Sequence, residues 1–336
     1  MSDPLWISEA EVVGLMDLGE AITALEAAMR AEAKGDAQNM TKTLMQYGKS
    51  NLHAIGARLD GLVGTKTWAH TEGGTCPLLL LWDAQNGSLV AVIEAFALGN
   101  MRTGGISGVA ADWLADHAAK VMGLIGTGKQ ALSQVGTMLA VRPIERLQVF
   151  SPTAEKRAAF AARVREEFGI EVAEVTSAEA ACKGAQIVTL VSRATTPFLT
   201  AAMLEKGTHL NAVGAIAPDR EEFTQDVFAR VSAVAVDNLA GVQQLSREFM
   251  TFYNAGDKAG WDKVPTLAQL IASGRRRAPQ DDITVFKAMG MGISDLALGV
   301  ELVKRARAGG VGRSIAQPKK VKPRFAPTPA KAPDAA

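Results

Sequence analysis

Cysteine is scarce: the 336 residues hold two, Cys76 and Cys182. They lie far apart, with no Cys or His companion at ligand spacing, which argues against a disulfide framework and against a structural zinc site. Both read as small buried hydrophobes, and no metal is expected. An excess of one charge is lacking as well. Lys and Arg number 36 against 35 Asp and Glu, a formal net charge of +1, so no broad field exists to draw DNA, RNA or an anionic membrane. No apolar run approaches the ~18 residues needed to cross a bilayer. The opening stretch MSDPLWISEAEVVGLMD carries acid where a secretory leader carries base. The expectation is a cytoplasmic protein with a small-molecule partner. Apolar residues are plentiful, at 48%, enough for two domains with a core each.

Residues 1–35 read as helical, with Leu18, Ile22, Leu25 and Met29 three or four apart before a stop at Gly35. A strand-rich stretch follows, in which Asn86-Gly87 between two apolar runs predicts a hairpin with a type I′ turn. Helix returns from Met101 to His117. From 119 to about 240 short β-branched runs alternate with helical segments, the pattern of a parallel sheet covered on both faces. Six strands are expected there: VMGLIG, RLQVF, IEVAEV, IVTLVS, THLNAVGA and VSAVAVDN. An amphipathic helix is predicted over 293–310. The Pro- and Lys-rich tail from Gln317 has little to bury and is expected to be disordered.

The stretch VMGLIGTGKQAL carries the clearest chemistry. Gly126-Thr127-Gly128-Lys129-Gln130-Ala131 follows directly on an apolar strand, opens a helix, and precedes a second strand by about 20 residues, as in a dinucleotide-binding turn. Gly126 permits the tight turn, Gly128 lets the backbone approach a pyrophosphate, and Ala131 keeps the helix close to the sheet. The helix N-terminus supplies N–H donors and a positive dipole end. The second strand runs into VFSPTAEKR, with Ser151 and not an acid at the strand end where ribose hydroxyls are usually held. Ser151 and Thr153, with Lys156 and Arg157 behind them, favour a 2′-phosphate, hence NADP(H) over NAD(H), although the two cations also suit an exposed helix face.

Five segments in order, MRTGGISGVAADWLA, GTGKQA, VTLVSRATTPFL, HLNAVGAIAPDREEF and ITVFKAMGMGISDLALG, resemble the ornithine cyclodeaminase/mu-crystallin family. The resemblance runs from about residue 40 to 312. It implies an α/β fold in two parts: a Rossmann-type dinucleotide domain at 117–290, and an α+β substrate and dimerisation domain built from 1–116 and 291–316, with 317–336 as a tail. It also implies a homodimer and hydride chemistry at a carbon bearing a nitrogen and a carboxylate.

By that resemblance Arg102, in MRTGG, is the carboxylate-binding arginine, and Lys66, in GTKTW, the active-site lysine, able to hold the carboxylate or to protonate the nitrogen. Lys42 stands where the family has an arginine, keeping charge but losing the bidentate fork. Ser192 and Thr195, and Asn211, Val213 and Gly214, fall where the family lines the nicotinamide pocket. Lys287 and Gly290 fall in the segment returning toward the cofactor. His70 is a possible proton donor, though more simply a structural histidine. Where the cyclodeaminases carry an aspartate, NAVGAIAPDRE places Ile216, which can neither accept a hydrogen bond nor stabilise an ammonium. No glutamate precedes Lys66 at the expected spacing, although His53 is near. Reduction of a ketimine or imino acid, reversible as an amino-acid dehydrogenase, is therefore expected over conversion of ornithine to proline and ammonia. A non-catalytic NADP(H)-dependent binding protein is the third reading.

Overall fold

The computed structural model describes residues 3–255 and 260–325. From the N-terminus run β1 (Leu5–Ile7), α1 (Glu9–Leu15), α2 (Leu18–Ala33), β2 (Gln38–Asn39), β3 (Thr43–Tyr47), β4 (Ser50–Leu59), β5 (Leu62–Thr71), β6 (Gly74–Thr75), β7 (Leu78–Asp83), β8 (Leu89–Glu94) and α3 (Phe96–Leu114). Next come β9 (Val121–Ile125), α4 (Ala131–Val141), β10 (Arg146–Phe150), α5 (Ala154–Phe168), β11 (Glu171–Glu174), α6 (Ala178–Cys182), β12 (Ile187–Leu190), β13 (His209–Ala212) and β14 (Val231–Val236). The chain continues through α7 (Leu239–Leu245), α8 (Arg247–Tyr253), α9 (Leu267–Ser273), β15 (Ile283–Lys287), α10 (Gly292–Gly309) and β16 (Arg313–Ser314).

Among the described residues these strands form two sheets. The first has the order β16-β1-β8-β7-β5-β4-β2, with β3 on β4 and β6 on β5. The second has the order β11-β10-β9-β12-β13-β15-β14, and all its neighbours are parallel. Strands β12, β13 and β15 are buried along their whole length, as in a parallel sheet covered on both faces, and their polar side chains Thr189, His209, Asn211, Thr284 and Lys287 are buried with them. Chain order reverses beside β9, between β10 and β12. At that reversal, outside the carboxyl ends of the strands, open α/β sheets bind ligands.

Cys182 is buried, but Cys76 is exposed where a buried hydrophobe was expected. The strands and their turns differ from the sequence reading at three places. Leu5–Ile7 is a strand, parallel to β8 and antiparallel to β16, so the helical segment begins only after Ser8. Asn86-Gly87 does not form a type I′ turn, which needs positive φ at both central residues; only Gly87 is positive, at 71°. Asp83 instead organises a longer loop, its carboxylate accepting from the backbone N–H groups of Gln85 and Asn86. The turn with two positive φ values is Asp60-Gly61, at 51° and 72°, joining β4 to β5. Third, β15 is a seventh parallel strand, inserted between β13 and β14.

Helix α3 is apolar nearly all round and is buried between its neighbours. Arg142 closes it: the guanidinium donates to the carbonyls of Ala111, Asp112, Ala115 and Asp116 around the C-terminal end of the helix, where intrahelical donors run out. The start of α10 presses on β4. A Cβ at Gly292 would stand 1.9 Å from the Gly56 carbonyl oxygen, so only glycine allows this approach, and Asn39 accepts from the Ile293 N–H. That contact sets the first turn of α10 over β5.

In the tail, Gln317 is tied down by hydrogen bonds to the Leu89 backbone, and the residues from 318 to 325 are without regular structure. The rest of the tail, 326–336, lies outside the described residues. No helix among the described residues is long and apolar enough to cross a membrane.

Candidate active site

The docking of α10 on β4 and β5 brings a carboxylate to a lysine from the far side of the sequence. Lys66, on β5, donates to Asp295 Oδ1, in the first turn of α10, and both side chains are buried. Arg102, in the second turn of α3, places Nε 3.3 Å from the same oxygen. That is ion-pair distance without hydrogen-bond alignment, and Arg102 Nε and Asp295 Oδ2 are buried with no hydrogen-bond partner. Burial pushes the Lys66 ammonium down to about 8; Asp295 opposes that shift, while Arg102 and Lys42 add to it. Gly99, on α3, leaves room for the lysine head.

Register places the neighbouring groups. Lys66 pairs with Ile55 and Trp68 with His53 across β4 and β5, so all four project from one face. The Trp68 ring lies 5.3 Å from the Lys66 ammonium, and the His53 ring stacks on it at 4.6 Å. His53 is held below its ordinary range by burial, then by Lys42 and His70, and its Nδ1 is buried without a partner. Lys42 is lowered by burial first and then by Arg102; Asp237 and Asp295 act the other way. Lys42 therefore shares the electrostatic neighbourhood of Lys66 and Arg102. His70, also on this face, is exposed. A cavity of about 360 Å³ lined by Met40, Arg58, Thr65 and Trp82 opens on the other face of the sheet.

Every parallel strand of the second sheet ends at one edge, and that edge carries the glycine turn. Gly126 has φ +110°, and a Cβ there would stand 2.7 Å from the Val191 carbonyl oxygen, so the turn requires glycine. Gly128 has nothing within 4 Å of a would-be Cβ; it borders open space that a side chain would fill. Helix α4 starts three residues later, at Ala131, without a side-chain cap. An uncapped helix start behind an open glycine cradle fits the pyrophosphate of a dinucleotide. Thr127 is half-buried, Lys129 is exposed, and Ala131 is buried. Gln130 is turned toward α3, donating to Asn100. At the end of β10, Ser151 is buried and Thr153 caps α5 without a side-chain bond. Arg157 is partly committed, donating to the Ser151 carbonyl, whereas Lys156 is exposed.

Other residues singled out in the sequence prove to be engaged within the fold. Ser192 donates through N–H and hydroxyl to Glu222, which also accepts from the Gly214 and Ala215 N–H groups. The ends of β12 and β13 are thus tied together under Val213 and beside the exposed Thr195. Lys287 is fully buried, donates to the Ala215 carbonyl, and lies 3.6 Å from Glu248; its ammonium braces this platform from below. Asn211 is buried in the core against His209, Met138 and the strand of Thr189, its Oδ1 paired with the imidazole. Gly290, at φ +85°, lies under Arg102, with a would-be Cβ 3.0 Å from Nη1. Ile216, at the position where the cyclodeaminases carry aspartate, is 38% exposed.

Sequence reasoning missed Asp295, Asp237 and Glu222. Asp295 and Asp237 are isolated acids in apolar runs, and that is the one signal they give: an acid buried in such a context must have a partner; Glu222, among the charged residues of PDREEF, gives no such signal. Among the described residues no group of His, Cys, Asp and Glu is placed to hold a metal ion.

The profile of the ornithine cyclodeaminase/mu-crystallin family matches residues 3–309. The chain belongs to that family. It is 31% identical over 278 residues to a Δ1-pyrroline-2-carboxylate reductase of Bacillus cereus, covering 82% of this chain and 84% of that one. Its fold matches the Thermococcus litoralis Δ1-pyrroline-2-carboxylate reductase in complex with NADH and L-proline, with a TM-score of 0.85, 26% identity, and 93% and 100% of the two chains covered. An archaeal alanine dehydrogenase dimer with bound NAD matches equally well, with a TM-score of 0.85, 27% identity, and 93% and 99% covered.

Proposed function

We propose that this protein is an NAD(P)H-dependent reductase of small α-imino acids, cyclic ketimines such as pyrroline-2-carboxylate or piperideine-2-carboxylate among them, and runs in reverse as an amino-acid dehydrogenase. The observation that carries the reading is the placement of Lys66, Asp295 and Arg102 beside the glycine-turn edge. Gly290, on that edge, lies against the Arg102 guanidinium, and Gln130 of the turn bonds to α3 two residues before Arg102. We assign 117–290 to cofactor binding, and 1–116 with 291–316 to substrate binding and dimerisation.

Gly126, Thr127, Gly128 and the start of α4 hold the pyrophosphate, and Ser192, Val213 and Gly214 border the nicotinamide. The bound cofactor supplies a hydride to the carbon that bears nitrogen and carboxylate. The protein's own residues do the rest. Arg102 grips the substrate carboxylate through its fork, and Lys42 adds a second positive charge. Lys66, with a value near 8, is charged at neutral pH yet able to give up its proton, which suits a donor to the imine nitrogen. Asp295 keeps it charged in a buried setting. Trp68 and His53 form a flat wall that limits water near the ammonium. The apolar Ile216 favours reduction over an ammonia-releasing cyclisation, which needs an acceptor for the departing amine.

We favour NADPH over NADH because β10 ends without an acid and the exposed Lys156 stands near the expected ribose. A homodimer is supported by β3, exposed along its whole length although it carries Leu44, Met45 and Tyr47. The test is cofactor oxidation followed by absorbance with a panel of cyclic and linear imino acids. Consumption of NADPH with at least one of them is expected; no consumption with either cofactor across the panel removes the reading.

A further inference from the structure

Arg102 must hold its plane to grip a carboxylate, and its one ion-pair partner among the described residues, Asp295, does not fix that plane: the Nε contact is misaligned. Its support comes from the other side. Gly290 lies beneath the guanidinium with φ +85°, a conformation that must itself be held. The holder is Asp237, buried just past β14. Its Oδ1 accepts from the Met289 N–H at 2.8 Å and its Oδ2 from the Gly290 N–H at 2.7 Å, while its own N–H donates to the Lys287 carbonyl. The Asn238 side chain adds a long bond, 3.4 Å, to the Gly290 carbonyl.

We propose that Asp237 is a positioning residue for substrate binding: it clamps the 288–291 loop into a platform that sets both Arg102 and, through the start of α10, Asp295. The loop connects β15 to α10, so one carboxylate fixes the backbone under the arginine and the departure of the helix carrying its counter-ion. On the opposite side the same crossing is held by Asn39, which accepts from Ile293 N–H and donates to Glu32. The charged groups facing Asp237 are Arg102, Lys42 and Glu32. None of them hydrogen-bonds to it; its two carboxylate oxygens are spent on loop N–H groups. The inference rests on the imino-acid reading given above.

The test is a double-mutant cycle of Asp237→Asn with Arg102→Lys, read as KM and kcat for the imino acid, with NADPH affinity measured separately by fluorescence titration. Asp237→Asn is expected to raise KM about tenfold to a hundredfold, the scale of a small misplacement in a binding group, with a smaller fall in kcat and unchanged NADPH affinity. In the Arg102→Lys background it is expected to add little further loss. Gly290→Ala, which keeps Asp237 and presses a methyl group on Arg102, is expected to give the same KM signature and serves if Asp237→Asn does not fold. An active wild type with either variant folded and unchanged in KM, or with additive losses in the cycle, overturns this inference alone. A wild type that reduces no imino acid removes the proposed function and this inference with it.

Discussion

Asp295 Oδ1 is shared by two cations: the Lys66 ammonium donates to it and the Arg102 guanidinium stands 3.3 Å away. One buried carboxylate between two cations leaves positive charge uncompensated, in a place largely removed from water. Such a site attracts an anion. In the proposed reaction that anion is the carboxylate of the imino acid, and Lys66 beside it supplies the proton, so the one pairing would join substrate recognition to proton supply.

Asp295→Asn tests that coupling. Removing the charge leaves the buried Lys66 and the half-buried Arg102 without their shared counter-ion, so a stability loss of about 3 kcal/mol is expected, the cost of breaking a buried pair. The Lys66 ammonium also loses the group that holds its value up, so the variant's reduction activity is expected to fall off at lower pH than that of the wild type. Denaturant titration and the pH profile of kcat/KM measure the two effects. An unshifted profile counts against the pairing.

The pH dependence of the wild type follows from Lys66. The proton donor must be charged, and its value lies near 8, so reduction is expected to be insensitive to pH below about 8 and to fall about tenfold per unit above it. Stability runs the other way. The folded protein binds this proton more weakly than the unfolded chain, whose lysines keep the ordinary 10.5, so the burial penalty is present in full below about 8 and is relieved as pH climbs toward 10.5. Lys66→Met is expected to abolish both the kinetic limb and the stability trend.

Arg102→Lys keeps the charge and loses the fork. A bidentate carboxylate contact contributes on the order of 1.5–3 kcal/mol, so kcat/KM for the imino acid is expected to fall about 10- to 100-fold, mostly through KM. Steady-state kinetics separate the two constants; a loss confined to kcat would place Arg102 elsewhere in the reaction.

The cofactor preference is tested at Lys156. If its charge meets a 2′-phosphate, Lys156→Ala weakens NADPH binding about tenfold and leaves NADH unchanged, as equilibrium fluorescence titration would read. Equal weakening of both cofactors, or of neither, contradicts the NADPH preference.

Local order makes much of the fold legible in the sequence. The glycine turn, the capped helices and the apolar strands each carry their signal within a dozen residues, and β9, β10 and α10 lie where that signal places them. The strand β15 escapes such a reading because five buried residues, ITVFK, have no period to reveal them, and their place between β13 and β14 is a property of the sheet. Asp60-Gly61 carries the same two-residue turn signal as Asn86-Gly87; what separates them is Asp83, whose carboxylate accepts from Gln85 and Asn86 N–H and organises the second loop otherwise. In the site, Lys66 and Arg102 are visible as motif residues, but the carboxylate between them is not. Asp295 is 229 positions from Lys66, and nothing local marks that distance as a contact. Lys287, visible as a motif residue, spends its charge inside the fold because Glu248 and the Ala215 carbonyl reach it first.

The central claim is that hydride arrives at the carbon beside the gripped carboxylate. The most direct measurement is the product of Δ1-pyrroline-2-carboxylate incubated with the enzyme and NADPH deuterated at the transferable position, analysed by mass spectrometry and NMR. The account predicts proline bearing one deuterium at its α-carbon; recovered imine, or proline without the label, would contradict it.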